Sequence, residues 1–126
     1  MKLEWLAVFL GGGLGSLIRY AFSLLLNPLT DKIPFGTLTA NLLSCIVLGM
    51  LGFAFREKYF VNDWLKTLIL VGFCGGFSTF STFANEILTF LKAESFYQAG
   101  FYALLSLTLG NLALVFGIWL SKIVLS

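Results

Sequence analysis

Four apolar runs, each close to twenty residues long and parted by short polar stretches, leave this chain of 126 residues little choice but a bundle of membrane-crossing helices. A helix crosses roughly 30 Å of hydrocarbon with about 20 residues at 1.5 Å per residue. The runs fall near residues 4–26, 35–55, 65–91 and 96–123, and residues 1–126 read as a single four-helix transmembrane domain. Only 11% of the residues are charged and 59% are hydrophobic. A soluble domain carries about a quarter charged residues, so lipid is the solvent that tolerates such a surface.

Composition removes several function classes. The eight Lys and Arg are scattered, so nothing here could follow a phosphate backbone, and no nucleic-acid partner is expected. There is no His, and Cys45 and Cys74 both sit inside apolar runs as small hydrophobes, which leaves no imidazole or thiolate metal site. Paired carboxylates and cofactor motifs are also missing, so an enzyme is not expected. Met1-Lys2 followed by an apolar run resembles a signal peptide, but no small-residue cleavage site follows and Arg19 interrupts the run. The segment reads as a retained helix.

The breaks carry turn chemistry. Asn27-Pro28 and Asp31-Lys32-Ile33-Pro34 make the first, because proline stops a helix and pushes its predecessor toward extended backbone. Arg56-Glu57-Lys58 to Asn62-Asp63 make the second, with Asn62 or Asp63 as N-cap of the third run, and Lys92 to Ser95 make the third. Small residues four apart, namely Gly11 and Gly15, Gly12 and Ser16, Cys45 and Gly49, and Gly72 and Gly76, mark faces where helices approach closely. With alternating helices, Lys2, Arg56, Lys58, Lys66 and Lys122 fall on one side, and Lys32 and Lys92 on the other with Arg19 leaning that way. So weak a bias permits insertion in either orientation, and a single topology with both termini cytoplasmic stays open beside it.

The third run holds the chemistry. From Gly72 to Glu86 it reads GFCGGFSTFSTFANE, and a glycine pair followed by hydroxyls and aromatics weakens helix propensity repeatedly, so a break is expected near the bilayer midplane. Such a break would offer carbonyl oxygens to a cation, to water or to the same break in a second subunit. The competing reading is that serine and threonine bond back to the preceding turn and only bend the helix. Phe77, Phe80 and Phe83 recur every three residues as a drifting stripe beside Ser78, Ser81 and Thr82. Ring edges are positive and hydroxyls donate, which suits an anion, although a phenylalanine stripe also suits a plain core. In the second run Asn41, preceded by Thr37 and Thr39, adds an amide donor that could equally serve as helix glue. Arg19 must either snorkel or face a wet vestibule, and Glu86 stands near the water at the end of its segment.

Gly36-Thr37-Leu38-Thr39-Ala40-Asn41 together with Gly75-Gly76-Phe77-Ser78-Thr79-Phe80-Ser81-Thr82-Phe83 resembles the Fluc (CrcB) family of bacterial fluoride channels, and Gly12, Gly15 and Arg19 also match. The resemblance covers essentially the whole chain. It implies an all-α integral membrane protein of four transmembrane helices, assembled as an antiparallel, dual-topology homodimer with two pores. These would let fluoride leave the cytoplasm passively across a bacterial cell membrane and so lower its toxicity. The pore residues it implies are Asn41, Phe80 and Phe83, with Ser81, Thr82 and Thr37 nearby, Tyr102 and Ser106 on the fourth helix, and Arg19 in the vestibule. It also implies a structural, untransported sodium ion held by the backbone carbonyls of Gly75 and Ser78, the latter standing where many members have threonine. One turn beyond Ser106, where the family has a small hydroxyl residue, this chain has Gly110 with Asn111 beside it.

Two rival readings make different demands. A small four-helix drug transporter needs a central membrane carboxylate to exchange protons for substrate. Glu4 lies at the very start of the first run and Glu86 in the third, so neither meets that need. A non-transporting assembly subunit accounts for the glycines but not for the hydroxyl and phenylalanine cluster.

Overall fold

The structure, a computed structural model, describes residues 2–126. Its elements are α1 (Lys2–Leu26), a 3₁₀ turn (Asn27–Leu29), α2 (Phe35–Arg56), α3 (Asp63–Lys66), a π-helical stretch (Thr67–Phe73), α4 (Cys74–Phe77), α5 (Phe80–Lys92) and α6 (Phe96–Leu125). Four segments are long and apolar enough to span a membrane: Leu3–Leu29, Phe35–Arg56, Asp63–Lys92 and Phe96–Leu125. The third span thus runs from α3 to α5.

The order of contacts gives an up-down-up-down path. Gly11 abuts Leu68, Gly72 and Phe73, and Gly15 abuts Phe73 and Phe77, so α1 and the third span run parallel. Leu38 packs with Tyr102, Gly49 meets Leu114 and Phe53 meets Lys122, so α2 and α6 also run parallel. The hydrogen bonds Ser44 to Cys74, Asn41 to Thr79 and Thr37 to Glu86 run in opposite sense, which sets α2 antiparallel to the third span.

The outside of the bundle is apolar, unlike that of a soluble one. Leu3, Trp5, Phe9, Leu17, Val71 and Trp119 point outward, whereas Thr37, Ser44, Tyr102 and Ser121 are buried. Polar groups inside and apolar groups outside are what hydrocarbon around the bundle demands. The helices meet largely through backbone. A side chain at Gly117 would strike Ile46 and Met50, and one at Gly49 would strike Leu114, whereas Gly13 faces open space. Gly117→Val is therefore expected to destabilise the fold by about 1–3 kcal/mol, the range for overpacking a tight site. Gly13→Ala should stay within about 0.5 kcal/mol of the parent. Thermal unfolding in detergent compares the two, and equal stability would refute the close α2–α6 contact.

Side chains and left-handed residues close the helix ends. Asn62 caps α3 by accepting from the Leu65 amide at 2.8 Å. Asn27 Oδ1 accepts from Gly36 N at 2.7 Å and Thr37 N at 3.2 Å, supplying the cap of α2 that Pro34 cannot. Lys58 and Glu94, with φ of 63° and 57°, end α2 and α5 as glycine usually does, and the Tyr59 and Ser95 amides return to Ala54 and Phe90.

Candidate functional site in the third span

The glycine pair is not where the helix stops. Gly75 and Gly76 stay helical, and it is Ser78 (φ −84°, ψ 157°) and Thr79 (φ −150°, ψ 120°) that are extended between α4 and α5. Hydroxyl residues suit this place because their side chains replace the lost backbone ladder. The Cys74 carbonyl accepts from Ser78 N at 3.0 Å, Ser78 Oγ at 2.7 Å and Ser44 Oγ at 3.0 Å. Thr79 Oγ1 accepts from Thr82 N at 3.2 Å and so caps α5. The Thr79 peptide pairs with the Asn41 amide much as one strand pairs with another. Its N–H donates to Asn41 Oδ1 at 2.7 Å and its carbonyl accepts from Asn41 Nδ2 at 3.3 Å.

The interruption leaves the last carbonyls of α4 without helical donors. The amide four residues beyond Gly75 belongs to Thr79 and is given to Asn41, while Ser78 is extended and lies outside both helices. Gly75 is exposed, and a side chain there would meet nothing. The Gly76 carbonyl accepts from Arg19 Nε at 2.9 Å, so Arg19, half-buried, reaches across to the third span.

Beside the interruption lies a groove of about 370 Å³ between α2, α6 and the start of α5. Asn41, Ser78, Phe80, Phe83 and Ser106 line it, as do Thr79, Cys45, Gly110 and Asn111. Phe80 is 79% exposed while Phe83 is buried, with ring centroids 6.0 Å apart, and Phe83 meets Tyr102 edge-on at 5.2 Å. The single phenylalanine stripe expected from spacing does not form. Phe77 lies before the two extended residues, buried against Phe22 and Phe73, because the interruption resets the helical phase.

Thr37 and Tyr102 lie outside the groove and are joined by a residue the sequence reading gave no part. Glu86 accepts from the Thr37 hydroxyl at 2.8 Å and from the Tyr102 hydroxyl at 3.0 Å. It is half-buried in this bridge and does not simply face water. Glu86 also lines a second pocket of about 140 Å³ with Asn27, Thr30 and Asp31. Ser81 is exposed and Thr82 half-buried, and neither lines the groove. Ser44 was also missed, although Thr37, Asn41 and Ser44 follow an i, i+4, i+7 spacing that marks one helix face.

Fold and site together define a multi-pass α-helical membrane protein whose polar groups are gathered around an interrupted span. The chain belongs to the CrcB family, since the family model described as "CrcB-like protein, Camphor Resistance (CrcB)" matches residues 6–118. Its relatives include the fluoride-specific ion channel FluC of Phocaeicola vulgatus, 37% identical over 118 residues, which cover 93% of this chain and 97% of that protein. The fluoride-specific ion channels FluC of Salmonella arizonae and Salmonella newport are each 47% identical over 110 residues, covering 86% of this chain and 85% of theirs.

Proposed function

We propose that this chain is a fluoride-selective channel, not an enzyme, which lets fluoride leave a bacterial cell passively through its plasma membrane and so lowers fluoride toxicity. The observation that carries the reading is the groove, where the Asn41 amide, the Ser106 hydroxyl and the Phe80 and Phe83 rings converge in a member of this family. Fluoride holds its water tightly, so a path must offer several donors at close range without fixing the ion on a full charge. An amide, hydroxyls and positive ring edges do this. Outside the groove the Thr37 and Tyr102 hydroxyls are given to Glu86, so an anion that reached them would compete with a carboxylate for the same donors.

A second, oppositely inserted copy would complete the device as a dual-topology homodimer with two pores. In support, the groove is open on one side, Phe80 projects beside it, and Ser81, Asn85 and Asn111 are exposed within spans where lipid would be a poor neighbour. The extended pair Ser78-Thr79 then lies near the bilayer midplane. Each copy would bring the Gly75 carbonyl, whose helical donor Thr79 N–H is given to Asn41, and the Ser78 carbonyl of the extended pair to a structural sodium ion that is not transported. Hard cations of this kind take oxygen ligands, so these residues fit the ion. A proton-coupled drug transporter is disfavoured because Glu86 lies toward the end of its span and already accepts from two hydroxyls.

The test is fluoride release from proteoliposomes holding the purified protein, followed with a fluoride electrode and with chloride measured in parallel. Fast fluoride release with little chloride is expected. No fluoride release from liposomes shown to contain folded protein would overturn the reading.

A further inference from the structure

The groove has a half that the converging Asn41, Phe80 and Phe83 do not reach. It continues along α6 past Ser106 to Gly110, Asn111 and Leu114, facing Cys45 and Leu48 of α2. The Ser106 Oγ is buried and has no hydrogen-bond partner among the described residues. One turn further on the same face is Gly110, where an added side chain would meet only the Cys45 Sγ, at 3.9 Å. Polar function therefore stops at Gly110 unless a neighbour supplies it. Asn111 is that neighbour. It sits at the middle of the 30-residue helix α6, exposed, at the depth where an amide in lipid is least tolerable. One N–H of its carboxamide donates to the Leu107 carbonyl at 2.7 Å, and the amide nitrogen carries a second hydrogen.

We propose that Asn111 is the hydrogen-bond donor of this half of the groove, taking the place of the side chain that Gly110 lacks and handing the anion or its water on from Ser106. This rests on the fluoride-channel reading. The rise from Ser106 to Asn111 is about 7–8 Å at 1.5 Å per residue, a gap that one or two waters or a partly hydrated anion bridge. Helix glue against a second copy is the competing role for such an amide, and it predicts different behaviour.

Fluoride efflux from proteoliposomes decides between them. Asn111→Ala should slow efflux about tenfold or more, the usual loss for one hydrogen bond to a charged species, while gel filtration in detergent shows the parent assembly. Adding Gly110→Ser to that variant should restore most of the flux, since it returns a donor to the same groove without touching position 111. Parent-like flux in Asn111→Ala overturns the proposal, and so does a loss that Gly110→Ser fails to restore, as glue would give. Should Asn111→Ala fail to fold, Asn111→Asp decides. Lost flux in folded protein supports the role, whereas parent-like flux, or failure of this variant to fold as well, overturns it. An unsubstituted chain that conducts while the Asn111 variants match it removes this inference alone, and one that does not conduct removes the channel reading with it.

Discussion

Asn41→Asp is expected to abolish fluoride flux in a protein that still folds. The aspartate keeps the oxygen that accepts from Thr79 N at 2.7 Å, so the extended backbone retains its main anchor. It loses the N–H that donates to the Thr79 carbonyl at 3.3 Å and places a carboxylate in the groove. The site thereby loses an anion donor and gains a repelling charge. Losing a donor to a charged species costs about 1.5–3 kcal/mol, a tenfold to hundredfold fall in rate before repulsion is added. Asn41→Ala tests the other role of the residue. It strips both hydrogen bonds from the Thr79 peptide, and a buried group left unpaired costs about 1–3 kcal/mol, so it should lower thermal stability as well as flux. Efflux and unfolding measured on both variants separate the roles, and parent-like flux in Asn41→Asp would refute the placement of Asn41 in the pore.

Phe80→Ile should show the reverse pairing, with flux lost and the fold untouched. Phe80 is 79% exposed and contributes little to the packing of its own chain, so its replacement should leave stability within about 0.5 kcal/mol. If its ring edge faces the anion, an aliphatic side chain of similar bulk removes the positive edge while keeping the volume, and efflux should fall by about tenfold or more. Isoleucine is chosen because it is neither small nor polar, so a leak through a widened groove cannot disguise the loss. Normal efflux in this variant would reduce the Phe80 and Phe83 pair to packing.

The sequence carried the spans because hydrocarbon thickness imposes a length on each run, and Asn62 because capping is local. The parallel contact of α2 with α6 through Gly49 and Gly117 was only half visible, since the spacing of Cys45 and Gly49 names a face without naming what covers it. The π-helical stretch Thr67–Phe73 left no pattern in the residues. Its Leu68, Gly72 and Phe73 are those that Gly11 presses against, a tertiary fact. The site was legible where residues cluster along the chain, in Ser78 to Phe83, and opaque where it is assembled across it. Glu86 was expected to face water at the end of its segment because its two donors, Thr37 and Tyr102, are 49 residues before it and 16 after it. The phase of the phenylalanines failed for a related reason, because a helical count carried across Ser78 and Thr79 loses its meaning there.

The bridging of Thr79 and Cys74 by Asn41 and Ser44 bears on how the chain enters its membrane. A peptide exposed in hydrocarbon costs several kcal/mol, so an interrupted span is a poor candidate for insertion by itself. Here the groups that receive it are made first, Asn41 preceding Thr79 by 38 residues and Ser44 preceding Cys74 by 30. Within the hairpin of α1 and α2, Asn27 already closes the start of α2. Synthesis from the N-terminus thus presents Asn41 and Ser44 to the bilayer before the segment that they bond emerges, an order that favours insertion of an interrupted span.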